Sequence, residues 1–128
     1  MKQSFVIPGR LSGLNEYVNA AHSPWKRTKL KEQNEAIVTA AAELAHIQPV
    51  EGQSCVTMTF YERPEKGQRA RDLDNVTGGG AKFILDALQT MGVIERDDCK
   101  HIPELHKHGY FAGEGRQRIV VEIETLGD

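Results

Sequence analysis

The chain has 128 residues, 39% hydrophobic and 27% charged, with a formal net charge of −2. That length supports one domain, residues 1–128, with its own hydrophobic core, and composition this ordinary excludes a disordered or fibrous chain. No apolar run approaches the roughly 20 residues a membrane helix needs, and MKQSFVIPGR is too short and polar for a signal peptide, so a cytoplasmic location, in a bacterial or phage-infected cell, is expected. Cys55 and Cys99 lack C-x-x-C spacing and read as free thiols. Cys55 sits in an apolar strand pattern and reads as core.

In chain order, residues 3–8 (QSFVIP) predict a short strand, and GRLSGLNEYVNAAHSP a long loop. Ser23-Pro24 combines an N-cap hydroxyl with the ring favoured at the first helical position, so a long helix follows and is closed by Pro49. Leu30, Ile37, Ala41 and Leu44 recur at helical spacing and are expected on its buried face. Val56, Met58 and Phe60 alternate with Thr57, Thr59 and Tyr61, which predicts a half-buried strand over 53–61. ERPEKGQRARDLDNVTGGG is almost free of apolar residues and reads as a loop. A second helix is expected from about Gly80 to Met91, with Gly92 as its stop. Two strands over 104–112 and 116–125, separated by A-G-E-G, read as a hairpin. The order β-α-β-α-β-β predicts a mixed α/β (α+β) domain with helices packed on a mixed sheet.

Carboxylates then gather at two places: Asp72 and Asp74 at the end of the polar loop, Asp97 and Asp98 just beyond the second helix. Clustered acids repel unless a hard cation, a proton or a basic partner offsets them. Mg²⁺, with Mn²⁺ as an alternative, suits such a set because it takes oxygen ligands and commonly uses one or two carboxylates with substrate phosphates. In phosphodiester hydrolysis such ions activate water and stabilise the leaving oxygen. Lys82, in the first turn of the expected helix, supplies a compact cation for a scissile phosphate. Gly78–Gly80 before it let the backbone approach a phosphate, although G-G-G-A-K-F lacks the spacing of a P-loop. Each feature has a plainer counterpart: D-x-D as an Asx turn, D-D as a solvated pair, the glycines as a flexible turn, and Lys82 with Asp86 as a surface i,i+4 ion pair.

The run RDLDN (71–75), then K-F-I-L-D-A-L (82–88), G-V-I (92–94) and D-D (97–98), resembles the RusA family of Holliday junction resolvases over about a third of the chain. The resemblance implies a RusA-like fold and a homodimeric, Mg²⁺-dependent endonuclease that cuts four-way DNA junctions in recombination and repair. It places the essential acids at Asp72, Asp74 and Asp98, the essential lysine at Lys82, and Asp97 as a supporting metal ligand. V-T-G-G-G-A between Asn75 and Lys82 departs from the family as a longer spacer, and Pro8, Asn15 and Tyr17 match its N-terminal pattern only loosely. A nuclease for flaps or other branched DNA, and a non-catalytic branched-DNA-binding protein, are the alternatives.

Two basic runs are the expected DNA contacts. Lys26, Arg27, Lys29 and Lys31 crowd the first turns of the long helix, where the macrodipole disfavours cations. Arg63, Lys66, Arg69 and Arg71 lie beside the acids, where an approaching DNA backbone needs counter-charge. His101, His106 and His108 lack the fuller ligand set of a zinc site and read as solvated imidazoles. Trp25 and Phe111 read as packing residues, with base stacking by Trp25 as the alternative.

Overall fold

Apolar–polar alternation in three segments builds one well-buried sheet face. In the computed structural model, which describes every residue except Glu65, Gln68, Glu114 and Asp128, these segments are β1 (Lys2–Pro8), β2 (Ser54–Glu62) and β4 (Arg118–Thr125). Phe5 and Ile7, then Val56, Met58 and Phe60, then Ile119, Val121 and Ile123 point to one side and are almost wholly excluded from water. With β3 (Glu104–Phe111) they form a four-stranded sheet in the order β1-β4-β2-β3. β4 lies antiparallel between β1 and β2, and β3 runs parallel to β2. The sheet is therefore mixed, as expected.

The expected hairpin does not form. β3 pairs with β2 and β4 pairs with β1 and β2, so the A-G-E-G segment joins strands separated by β2. Glu114 of that segment, and Glu65 and Gln68 of the polar loop, lie outside the described residues. The physical reason is burial. The alternating Ile119, Val121 and Ile123 gain most at the sheet centre, whereas all eight residues of β3 are exposed and suit an edge.

Three helices cover the buried face: α1 (Leu14–Ala20), α2 (Pro24–Leu44) and α3 (Leu73–Thr90). The order is thus β-α-α-β-α-β-β, and α1 occupies part of the expected loop. None of its residues is buried, so it carries no apolar stripe to read. Its legible signal is Glu16, three residues after Gly13, whose Oε1 accepts the Gly13 N–H at 3.2 Å. α2 starts as expected, Ser23 Oγ accepting the Lys26 N–H. Its buried residues, however, are Asn34, Val38, Ala41 and Ala42, while Ile37 and Leu44 are exposed. The face turns because Asn34 fastens the β1–α1 loop: its Oδ1 accepts the Ser12 N–H at 2.8 Å, and its Nδ2 donates to Ser12 Oγ and the Leu30 carbonyl.

α3 begins at Leu73, seven residues before the expected start. Gly78, Gly79 and Gly80 lie inside it and are contact positions, neither a turn nor a phosphate cradle. A Cβ on Gly79 would lie 2.5 Å from Gly13 C and Leu14 N and 2.6 Å from Ser12 O, and one on Gly80 would strike the Phe60 ring at 2.3 Å. The glycines cost helix propensity, about 1 kcal/mol each. In return α1 crosses α3 backbone to backbone while α3 settles onto β2. Val76, Ala81, Phe83, Ile84, Ala87 and Leu88 complete the core. Among the described residues, no helix is long and apolar enough to cross a membrane.

Candidate functional site

The R-D-L-D-N segment makes the start of α3. Asp72 is the N-cap and Asp74 lies in the first turn, where the helix dipole favours negative charge. An N-cap aspartate ordinarily accepts a hydrogen bond from the N–H two or three residues on. Here the Asp72 side chain makes no such bond, and Asp74 Oδ1 accepts only the adjacent Asn75 N–H at 2.9 Å. Both carboxylates are exposed. Asn75 is turned into the fold, its Oδ1 accepting the Asn15 N–H at 2.7 Å and so tying α1 to this end of α3.

Arg71 anchors the same corner. Its Nε donates to Glu62 Oε1, Nη1 donates to the Leu11 carbonyl at 3.1 Å, and Glu16 stands 3.7 Å away. Both partners in the Arg71–Glu62 pair are largely buried, with side chains 15% and 13% exposed. Arg71 therefore holds the end of β2 against the start of α3. Arg63, Lys66 and Arg69 are exposed, the basic charge next to Asp72 and Asp74 in the chain.

Lys82 and Asp98 stand elsewhere. Lys82 lies eight residues beyond Asp74, a rise of about 12 Å along the helix. Its ammonium sits 3.6 Å from Asp86 and 5.1 Å from the centre of the Tyr17 ring. Nearby, Glu35 pairs with Lys31 at 3.8 Å, and its Oε2 is buried without a hydrogen-bond partner. Burial, reinforced by the negative charge of Asp86, pushes the Glu35 carboxyl above its ordinary range against the opposing pull of Lys31 and Lys82. Lys82 thus belongs to a polar cluster between α1, α2 and α3.

Asp98 lies beyond the other end of α3. Its carbonyl accepts the His101 and Ile102 N–H groups, and the His101 carbonyl accepts the Ser54 N–H, which ties this turn to the start of β2. Arg71 is tied to the end of β2, so Asp98 and Asp72 are separated by most of that strand, roughly 25 Å. The Asp98 carboxylate lies 2.6 Å from His101 Nδ1, accepts the His101 N–H at 3.1 Å and faces Arg96 at 3.6 Å. The hydrogen bond from His101, with Arg96 adding charge, holds it below the ordinary carboxylate range. Asp97 is exposed in the same turn. No protein-family model and no curated protein matches this chain.

Within one chain, then, the exposed carboxylates that could serve a hard divalent cation as oxygen donors at the start of α3 are those of Asp72 and Asp74. This fits the one or two carboxylates that Mg²⁺ takes while keeping several waters, and Asp72 is not occupied by capping. A different set lies on the uncovered sheet face: ligand atoms of Cys55, Glu104 and His106 fall within 4.8 Å of one another. Cys55 is half-buried on that face and is not a core residue, because Ser54 and Val56 take the inward positions. A thiol and an imidazole suit a softer metal than magnesium.

On α2, Lys26, Arg27, Lys29 and Lys31 are all exposed. Lys29 lies 5.0 Å from the centre of the Trp25 ring, and Trp25 is 69% exposed, not packed. Arg27 and Lys31 line an open groove of about 450 Å³ with Tyr17, Thr28, Glu32 and Glu35. Phe111 is likewise 69% exposed, contrary to a packing role.

Proposed function

We propose that the chain is a metal-dependent DNA endonuclease of the RusA type, acting as a cytoplasmic homodimer on four-way junctions with Mg²⁺, or Mn²⁺ in its place. The observation that carries this reading is the R-D-L-D-N segment set as a helix start, with both acids exposed and Asp72 free of its capping bond. Asp72 and Asp74 would hold the cation, which when bound activates water and stabilises the leaving oxygen. The carboxylates orient that charge, and Arg63, Lys66 and Arg69 draw the DNA backbone toward them. Lys26, Arg27 and Lys29 offer a second phosphate-binding surface, with Trp25 placed to stack on an unpaired base.

Purified protein with a synthetic four-way junction and Mg²⁺ is expected to give paired nicks. Asp74→Asn is expected to abolish cutting and to retain or tighten junction binding, because it removes a metal ligand and one negative charge near DNA. Absence of nicking by the wild type at micromolar enzyme would refute the proposal. The engagement of Lys82 with Asp86 and Tyr17 favours a second reading, a branched-DNA-binding protein without catalysis, which predicts salt-sensitive binding and no metal-dependent cleavage.

A further inference from the structure

The face of the sheet turned away from the helices has side chains of its own. On β2 these are Cys55, Thr57, Thr59 and Tyr61, because Ser54, Val56, Met58 and Phe60 take the inward positions. β3 runs parallel to β2 with Glu104 as the partner of Cys55 and His106 as the partner of Thr57, so Glu104 and His106 stand on this same face. On the other side of Cys55, β4 sets Glu124 in register. The sheet thus gathers a half-buried thiol, an imidazole and carboxylates from separate strands, none of them used by the nuclease reading.

We propose that Cys55, Glu104 and His106 bind a zinc ion that clamps the edge strand β3 to β2. Ligand atoms of all three lie within 4.8 Å of one another, and Glu104 Oε1 is 3.6 Å from His106 Nε2. A tetrahedral zinc ion with bonds of about 2.0–2.3 Å spaces its ligand atoms by about 3.3–3.8 Å. The pair from β3 already has that spacing. The thiol has to close by no more than roughly 1 Å to reach zinc geometry, which side-chain rotation supplies without moving the backbone. The donor set selects the metal: Mg²⁺ and Ca²⁺ take oxygen and leave a thiol aside, whereas Zn²⁺ takes sulfur, nitrogen and carboxylate oxygen together. On binding, the thiol proton passes to solvent, the thiolate and the Glu104 carboxylate neutralise the ion, and His106 binds as neutral imidazole. The fourth position falls to water, on a face where Glu124 adds a further carboxylate.

β3 is the strand with most to gain from such a clamp. None of its eight side chains is buried, so it adds little apolar burial and its attachment falls mainly on the backbone ladder to β2. Cys55 lies at the start of β2, and Glu104 and His106 lie at the start of β3. The ion therefore joins the two strands where the chain re-enters the sheet after α3, closing a long loop as a disulfide does.

Co²⁺ is the optical probe, because zinc is spectroscopically silent. The full chain, stripped with chelator and held in excess Mg²⁺ to occupy carboxylate sites, is expected to take up one Co²⁺ per chain. The spectrum should show the visible bands of a tetrahedral ion and a thiolate-to-cobalt charge-transfer band, both erased by added Zn²⁺. Cys99→Ser is expected to keep these bands and Cys55→Ser to lose the charge-transfer band. Glu104 and His106 have side chains 53% and 50% exposed, so Glu104→Gln and His106→Ala leave the core intact. Each is expected to weaken Zn²⁺ binding by at least the roughly 10–100-fold that loss of a supporting partner costs. Zn²⁺ should raise the Tm of the wild type and not that of Cys55→Ser. An octahedral Co²⁺ spectrum without charge transfer, a charge-transfer band that follows Cys99, or one ion shared between two chains overturns the site. Unchanged Zn²⁺ affinity in either β3 variant overturns the three-ligand set. None of these readouts involves DNA, so failure of the nuclease reading leaves the zinc site standing, and loss of the zinc site leaves that reading untouched.

Discussion

Adjacent glycines in α3 should respond in opposite directions to the same methyl group. Replacing a helix-interior glycine by alanine ordinarily stabilises by about 1 kcal/mol through propensity. At Gly79 the new Cβ would sit 2.5 Å from two backbone atoms of the α1 start, which cannot rotate away. Carbon contacts are comfortable at about 3.5–4.0 Å, so α1 must retreat by about 1 Å. Retreat strains the Asn75–Asn15 bond and the edge-on packing of Tyr17 on Phe83, whose ring centres are 6.1 Å apart. Overpacking of this kind costs about 1–3 kcal/mol and the lost hydrogen bond about 1 more, against the gain of about 1 from propensity. Gly79→Ala is therefore expected to lose about 2 kcal/mol, or about 8 °C in Tm for a domain of this size. Gly78→Ala meets only the flexible end of Leu14 at 3.3 Å and is expected to gain up to about 1 kcal/mol. Calorimetric melting of both variants decides the matter. An unchanged or raised Tm for Gly79→Ala would refute the close crossing of α1 and α3.

Two further variants probe titration, with opposite signs. Glu35 has its carboxyl raised by burial, so its ionisation costs stability as pH climbs through the window above the ordinary glutamate value. Glu35→Gln is expected to melt higher than wild type at pH 7, with the difference vanishing below about pH 4, where both folded and unfolded chains are protonated. Asp98 has its carboxyl lowered by His101, so its stabilisation is present at neutral pH and lost as pH falls below the ordinary aspartate value. Asp98→Asn should accordingly melt lower than wild type at pH 7 and approach it below about pH 3. Arg71→Met strands Glu62 in a largely buried position and is expected to cost about 3 kcal/mol, read by urea unfolding. A loss under about 0.5 kcal/mol would show that this pair behaves as a surface ion pair.

Much of the architecture was legible in local pattern. β2 and β4 were legible by alternation with period two, β1 as a short run closed by Pro8, and Ser23-Pro24 marked the start of α2. The R-D-L-D-N acids were legible too, as a chemical motif. The start of α3 was not, because three glycines read as a break until the facing elements show why no Cβ fits. The buried face of α2 was misjudged for a related reason: Asn34 goes inward to satisfy Ser12, a partner 22 residues away. Likewise A-G-E-G looks like a hairpin turn, and only competition for the sheet centre sends β4 past β2.

Sequence alone determined which segments can be strands and helices, and which acids and bases are present, because both follow from local periodicity and side-chain chemistry. Which strand lies at the edge, how closely two helices approach and which acids share a site depend on contacts between residues far apart in the chain. α3 runs the length of β2, leaving Asp72 and Asp74 at one end and Asp98 at the other. That separation, invisible in the spacing of the motif, is the contribution of the tertiary structure.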